Sequence, residues 1–75
     1  MNTLDQLLVG QKAIIQKINV QEEKKRRFFD LGILPGMDIT CLFVSPLGDP
    51  IAYDICGSVI ALRKEDSSLI EVVYD

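Results

Sequence analysis

The sequence lacks histidine and tryptophan, and aromatic residues make up only 7% of it. Histidine is the commonest general base and a common ligand of transition metals, so its absence removes the usual component of both kinds of site. The two cysteines can form at most one disulfide, far from the density of a secreted mini-protein. No nucleophile–base pair and no converging set of carboxylates is evident. We therefore predict a protein with no catalytic residue, no metal ligand and no cofactor.

A long apolar run and an excess of positive charge are also missing. No apolar stretch approaches the roughly 20 residues that a membrane-spanning helix requires, and residues 1–6 lack the positive start and the apolar run of a signal peptide. We expect a cytoplasmic protein without membrane insertion. The net charge is −3, from eight basic and eleven acidic residues. This balance argues against nucleic acid as the main partner, because the phosphate backbone favours a basic surface.

What the sequence does contain is enough apolar material for one small core. Hydrophobic residues make up 48% of the 75-residue chain, which is too high for a disordered protein. A chain of this size buries only roughly 60% of the surface that it exposes when unfolded. Nearly every apolar side chain is then needed in the core, and little room is left for a buried ligand cavity. We expect a single domain over residues 1–75.

The first half of the chain predicts two helical segments that flank one strand. Thr3 and Gln6 have the spacing of a capping box, which predicts a helical turn through about residue 8. Residues 12–20 are rich in β-branched side chains and favour a strand. Residues 21–31 then predict a helix of two to three turns, because apolar residues fall on one of its faces.

The predicted helix packs on the core through Phe28 and Leu31, and Gly32 follows at the position of a C-terminal cap. Phe29 points roughly a right angle or more away from the packed face. The basic run 24–27 circles the helix, and we expect most of it to be solvated beside Glu22 and Glu23.

The second half of the chain favours strands. Proline and glycine at 35–36 predict a turn, and two prolines bracket a loop at 46–50. A polar segment at 64–68 predicts a short turn or a turn of 3₁₀ helix. The segments with strand character are 37–44, 51–55, 59–63 and 70–74. About five short strands can curl into a closed or nearly closed barrel. We therefore predict a mainly β, SH3-like barrel with a short N-terminal helix and one helix after the first long strand.

The register of the two central strands determines where the cysteines point. Ile39, Cys41 and Phe43 share the inner face with residues 51, 53 and 55 only if odd positions oppose odd positions. That pairing requires a longer loop or a bulge. Cys41 would then face inward and Cys56 outward, so we expect two unpaired thiols.

Three blocks of the chain resemble FeoA domains. Residues 27–36, Arg-Phe-Phe-Asp-Leu-Gly-Ile-Leu-Pro-Gly, resemble the helix-to-turn segment in which Arg-Leu-x-x-Leu-Gly-x-x-Pro-Gly is usual. Residues 46–51 are similar to the family's Pro-Leu-Gly-Asp-Pro loop, and residues 60–64 with 70–72 are similar to its closing strands. The blocks occur in the family's order and span most of the chain.

The resemblance implies an SH3-like barrel without enzymatic activity that works with FeoB, the membrane transporter for Fe(II), at its cytoplasmic, GTPase-containing part. Two alternatives remain open. One is a regulatory or dimerisation module related to the C-terminal domain of iron-dependent repressors. The other is a small barrel that binds nucleic acid through the basic run 24–27. The oligomeric state is left open.

Candidate partner-binding residues are those whose place in the core is weakest. Leu47 lies at the tip of a polar loop, where it is equally suited to docking or to plugging the end of the barrel. Arg27 is expected either to bond back to the barrel or, less favourably, to contact a partner. The partner-binding candidates are Leu47, Gly48, Asp49, Phe29, Arg27 and Leu34. The residues to which the motif assigns a structural role are Leu31, Gly32, Pro35, Gly36, Pro46, Pro50, Leu62 and Arg63.

Overall fold

The computed structural model describes residues 2–74 and is built mainly from strands. A 3₁₀ turn at Leu4–Gln6 follows the first strand, and Thr3 N–H donates to Gln6 Oε1 at 3.5 Å, as the predicted capping box requires. The elements in chain order are β1 Asn2–Thr3, β2 Lys12–Ile18, α1 Glu22–Asp30, β3 Asp38–Val44, β4 Ile51–Ile55, β5 Ser58–Leu62, α2 Lys64–Ser67 and β6 Ile70–Tyr74.

The strands form one antiparallel sheet in the order β1-β6-β2-β3-β4-β5. β2 to β5 follow one another as neighbours, whereas β6 inserts between β1 and β2. The prediction of about five strands missed β1, which has only two residues and therefore shows no alternation. β1 and β5 each pair with one neighbour and form the two edges of the sheet.

One face of the sheet lines the core. Tyr53 is fully buried, and its hydroxyl donates to the carbonyl oxygen of Leu4 at 3.3 Å. This bond joins β4 to the 3₁₀ turn, which also contacts α2. Burial raises the pKa of the Tyr53 phenol to about 12. The apolar core comprises Leu4, Leu7, Ala13, Ile15, Ile18, Phe28, Ile33, Ile39, Cys41, Ile51, Tyr53, Ile55, Leu62, Ile70 and Val72.

Helix α1 ends in a Schellman motif. Gly32 has φ +88°, its N–H donates to Phe29 O at 3.0 Å, and Ile33 N–H donates to Phe28 O at 2.9 Å. The predicted cap at Gly32 is confirmed. The prediction that Leu31 packs on the core is wrong, since its side chain is 52% exposed. The motif turns the chain directly after Leu31, so that the fully buried Ile33 fills the place beside Phe28.

The predicted turn after this helix is confirmed. Pro35 and Gly36 occupy its centre, Gly36 has φ +91°, and Met37 N–H donates to Leu34 O at 3.2 Å. A positive φ at the third position is what a type II turn demands of glycine. Gly36 N–H also donates to Ile15 O at 2.7 Å, which fastens the turn to β2.

A bulge interrupts the pairing of β3 with β4. Cys41 pairs with Tyr53, odd position against odd, but Phe43 pairs with Ala52, so that Leu42 is the additional residue. The predicted odd-to-odd pairing holds for Ile39 with Ile55 and for Cys41 with Tyr53, and of the two devices that it allowed, a longer loop or a bulge, the sheet contains a bulge at Leu42, inside β3. The buried Cys41 and the exposed Cys56, both unpaired, are confirmed. The prediction that Phe43 faces inward is wrong, because the bulge reverses the alternation and leaves its side chain 57% exposed.

Candidate docking surfaces

The loop between β3 and β4 presents an apolar side chain at its tip. Gly48 N–H donates to Ser45 O at 2.7 Å, and Ser45 N–H donates to Pro50 O at 3.2 Å, so the loop is closed by its own backbone. Pro46 and Leu47 form the outer part of this turn, and Leu47 is 95% exposed. The alternative in which Leu47 plugs the barrel is therefore wrong.

Asp49 attaches the same loop to helix α2. Its Oδ1 accepts a hydrogen bond from Lys64 N–H at 2.8 Å, and its Oδ2 lies 3.7 Å from Arg63 Nη1. A carboxylate at the first N–H groups of a helix is favourable because those donors have no partner within the helix. Asp49 and Arg63 thus hold the position of the loop. Leu62, which precedes Arg63 in the chain, is buried at 5% exposure.

The segment before β2 runs alongside the end of β3. Gly10 N–H donates to Cys41 O at 2.7 Å, and Cys41 N–H donates to Gln11 O at 3.1 Å, which extends the pairing of β2 with β3 to Gln11. Residues 8–11 form a turn there, in which Gln11 N–H donates to Leu8 O at 2.9 Å. The apolar residues at this end of the sheet are between 43% and 95% exposed, and we call them the loop-end surface: Leu8, Val9, Phe43, Val44 and Leu47.

The sequence predicts only Leu47 of this surface. The helical turn predicted through about residue 8 ends at Gln6, Val9 has no predicted role, and Phe43 is predicted in the core. No local signal marks Leu8 and Val9, because the turn at residues 8–11 lies beside β3 only through the bonds of Gly10 and Gln11 with Cys41.

Helix α1 presents exposed side chains on both flanks of the buried Phe28, with Arg27 and Leu31 on one flank and Phe29 on the other, and we call these three residues together the helix surface. Phe29 is 41% exposed, as its position off the packed face predicted, and Leu34 beside it is half-buried. The Arg27 side chain is exposed and forms no hydrogen bond or ion pair with any residue in the range 2–74. The expected bond from Arg27 back to the barrel is therefore not formed within that range.

The two surfaces lie at opposite ends of β3. Helix α1 precedes Asp38, where the strand begins, and the loop at 45–50 follows Val44, where it ends. A strand of seven residues is about 23 Å long. The candidate partner-binding residues therefore come from two connections that leave β3 at opposite ends.

A cleft of about 450 Å³ lies between the start of α1 and Leu69. Arg27 and Glu23 line it together with Lys24, whose Nζ lies 2.6 Å from Asp66 Oδ1 and joins α1 to α2. One cation of the basic run 24–27 is thereby engaged by an acidic partner 42 positions away, a pairing that local sequence spacing did not indicate.

Two kinds of feature are missing from the part of the chain that the structure describes. Residues 2–74 contain no group of three or more Cys, Asp or Glu side chains placed to hold a metal ion. No helix in the same range has the length and apolar character to cross a bilayer.

Comparison with known proteins identifies a family and several relatives. The FeoA domain model matches residues 2–74. The chain is 33% identical over 69 residues to the "Fe(2+) transport protein A/Fe(2+) transporter FeoB fusion protein" of Porphyromonas gingivalis, covering 92% of this chain and 8% of that protein. It is 31% identical over 70 residues to a "Putative Fe(2+) transport protein A" of Campylobacter jejuni, covering 93% and 95% of the two chains.

Solved structures agree with these matches. The iron(II) transport protein A of Clostridium thermocellum superposes with a TM-score of 0.93 at 37% identity, over 97% of this chain and 45% of that one. A zinc-bound protein described as a prokaryotic SH3 domain protein, at 22% identity and a TM-score of 0.78, shows the same fold. A manganese-dependent transcriptional repressor, at 19% identity and a TM-score of 0.88, shares the fold alone. The predicted SH3-like, mainly β fold is confirmed.

Proposed function

The chain belongs to the FeoA domain family of Fe(2+) transport, and from this membership we propose that it is a non-catalytic accessory domain that docks on the cytoplasmic part of the FeoB transporter. The observation that carries the proposal is the Porphyromonas gingivalis relative, in which a segment similar to this chain is fused to FeoB. Fusion places two domains in one chain, and the covalent link raises the effective concentration of each domain at the binding site of the other. A domain that acts on FeoB from a separate chain must instead bind it through a surface.

We propose that the loop-end surface makes the main contact. An exposed apolar patch has a cost in water and often marks an interaction site. Leu47 lies in a turn that is bracketed by Pro46 and Pro50 and fastened by Asp49 to α2. A loop held in this way loses less conformational entropy when it binds. The helix surface, with Arg27 and Phe29, is the second candidate and lacks a comparable cluster of apolar side chains.

Titration calorimetry of the purified chain against the cytoplasmic part of FeoB from the same organism tests the proposal, with and without GTP. Leu47→Ala is expected to weaken binding by about tenfold or more, as removal of a central interface side chain does. Val73→Ala is the matched control, since Val73 is 42% exposed and belongs to neither surface.

The outcomes separate the two surfaces. Weaker binding for Phe29→Ala and unchanged binding for Leu47→Ala would move the contact to the helix surface. No heat of binding in either nucleotide state would overturn direct docking on the cytoplasmic part of FeoB. Circular dichroism of each variant confirms that a change in affinity is not a loss of fold.

A further inference from the structure

The outer edge of β5 is an unpaired strand edge without protection. Its five residues, Ser58 to Leu62, include no charged residue and no proline. Natural sheets protect their edges with lysine, proline, bulges or a covering segment, because an open edge pairs readily with another strand. β5 contacts β4 along its length and no other element of the described residues to a comparable extent.

The hairpin that leads into β5 determines which backbone groups point outward. Cys56 and Gly57 form a two-residue turn with φ +51° and +88°, and Ile55 pairs with Ser58 across it. In such a hairpin the flanking pair exchanges hydrogen bonds, and bonded and non-bonded pairs alternate from there. Val59 and Ala61 are therefore at non-bonded positions, and their N–H and C=O groups point away from β4.

Within residues 2–74 no donor or acceptor forms a hydrogen bond with these outward backbone N–H and C=O groups. Neither Val59 nor Ala61 has a backbone or side-chain hydrogen-bond partner outside the sheet ladder within residues 2–74. Both side chains are exposed, and that of Val59 is 65% exposed. The edge thus offers two donors and two acceptors beside an apolar strip.

We propose that this edge pairs with β5 of a second copy of the chain, antiparallel and around a two-fold axis at Ile60. Val59 of each copy then lies opposite Ala61 of the other, and both pairs exchange two hydrogen bonds. The outward groups of one copy match those of the other without any shift in register. A large side chain also opposes a small one on the exposed face.

The pattern of β5 itself favours a second copy over an arbitrary extended segment, because its outward groups and its large and small side chains match about Ile60. The backbone of Arg63 is extended, with φ −74° and ψ 151°, and continues the direction of β5. In the two-fold register Arg63 of one copy lies opposite Gly57 of the other, which has no side chain to meet it, and Asp54 lies on β4, one strand further away. The five residues of β5 carry no charge, so the pairing brings no like charges of the two strands together.

The expected association is weak. Five-residue strands bury much less than the about 1,600 Å² of a standard stable interface. We expect a dimer whose dissociation constant lies between micromolar and millimolar, in exchange with the monomer. The inference does not depend on docking to FeoB, because β5 belongs to neither docking surface.

Amide hydrogen exchange across a dilution series, beside sedimentation equilibrium, tests the pairing directly. At a concentration ten times the dissociation constant, about one fifth of the chain remains monomeric, so exchange of the Val59 and Ala61 amides should slow about fivefold. Val59→Lys should abolish association, since lysine is the usual guard of an open edge. Val73→Lys, on an inner strand, should leave association unchanged.

Two results would overturn the proposal. One is a chain that stays monomeric up to millimolar concentration with concentration-independent exchange at Val59 and Ala61. The other is association that Val59→Lys does not affect and that slows exchange elsewhere. The exchange measurement needs no variant, so it decides the matter even if Val59→Lys fails to fold.

Discussion

Apolar side chains are buried at one end of the sheet and exposed at the other. At the α1 end Phe28 and Ile33 are 4% and 0% exposed, whereas at the other end Phe43 and Leu47 are 57% and 95% exposed. Both ends reverse the chain with proline and glycine, so turn chemistry does not account for the contrast. The connection from β2 to β3, residues 19–37, includes a helix that covers the barrel, while the connection from β3 to β4, residues 45–50, only turns back.

The contrast shows that burial at a barrel end depends on how much chain passes over it. An apolar residue in a short reversal has no other segment of the chain packed against it, so its side chain stays exposed to solvent. In a chain this small, such side chains add little to the core and are free to serve a partner. The α1 end therefore contributes stability, and the loop end contributes a surface.

Truncation at the two ends should have very different effects on stability. Phe28→Ala removes a buried aromatic ring and is expected to lower the free energy of unfolding by about 3–5 kcal/mol. Leu47→Ala should change it by no more than about 0.5 kcal/mol, as for an exposed side chain. Urea denaturation measures both, and Phe28→Leu supplies a milder version if Phe28→Ala does not fold. Equal losses at both ends would contradict the comparison.

Unfolding at alkaline pH should test whether the Tyr53 phenol is buried in the core between the two ends. Burial raises the pKa of Tyr53 from its ordinary 10 to about 12 in the folded chain, so the unfolded state loses this proton first. The contribution of the neutral phenol to the free energy of unfolding, about 2–3 kcal/mol, is fully present below pH 10 and is lost as the pH rises toward 12.

The variant Tyr53→Phe isolates this contribution. Other groups titrate in the same range, so the quantity to measure is the difference in unfolding free energy between Tyr53→Phe and the parent chain at several pH values. That difference should change between pH 10 and 12 and stay constant below. A difference independent of pH would mean that the phenol is not buried as described.

The cap of α1 should be sensitive to backbone conformation alone. A methyl group added at Gly32 would meet no atom within 4 Å, but the φ of +88° is unfavourable for any residue with a side chain. Gly32→Ala is therefore expected to destabilise the chain by about 1–2 kcal/mol. Thermal unfolding checks this, and an unchanged melting temperature would show that the α1 end does not depend on its Schellman motif.

The attachment of the loop should have the smallest effect. Asp49→Ala removes the acceptor for Lys64 N–H and is expected to cost about 1 kcal/mol, as helix caps do. The matched control is Asp38→Ala, whose exposed ion pair with Lys12 at 3.6 Å should contribute no more than about 0.5 kcal/mol. Denaturation curves compare the two, and equal effects would mean that Asp49 does not hold the loop.

Local signals in the sequence predicted a large part of this fold. The apolar spacing identified Phe28 as the packed residue of the helix, and Gly32 identified its end. The parity of two strands predicted a longer loop or a bulge, the buried Cys41 and the exposed Cys56. Each of these features depends on residues close together in the chain or on the two-residue period of a strand, and such features can be derived from sequence.

The errors occur where a local pattern meets a tertiary constraint. Leu31 follows the helical spacing but lies where the chain already turns away. Phe43 follows the alternation but lies beyond the bulge. The bonds between Asp49 and Lys64 and between Lys24 and Asp66 join residues 15 and 42 positions apart, and no local pattern in the sequence predicts them. Leu8 and Val9 were missed for the same reason, since the turn that carries them reaches β3 only through the bonds of Gly10 and Gln11 with Cys41.

The position of β6 has a consequence for how the chain reaches this structure. Asn2 pairs with Val72 and Ile18 with Ile70, so β6 completes the pairing of both β1 and β2. On the ribosome, β2 to β5 can pair with one another as they emerge, while β1 has no partner until β6 has been synthesised. Contacts between such distant residues make folding slow. The time that a nascent chain spends with an incomplete sheet is therefore governed by the synthesis and docking of β6.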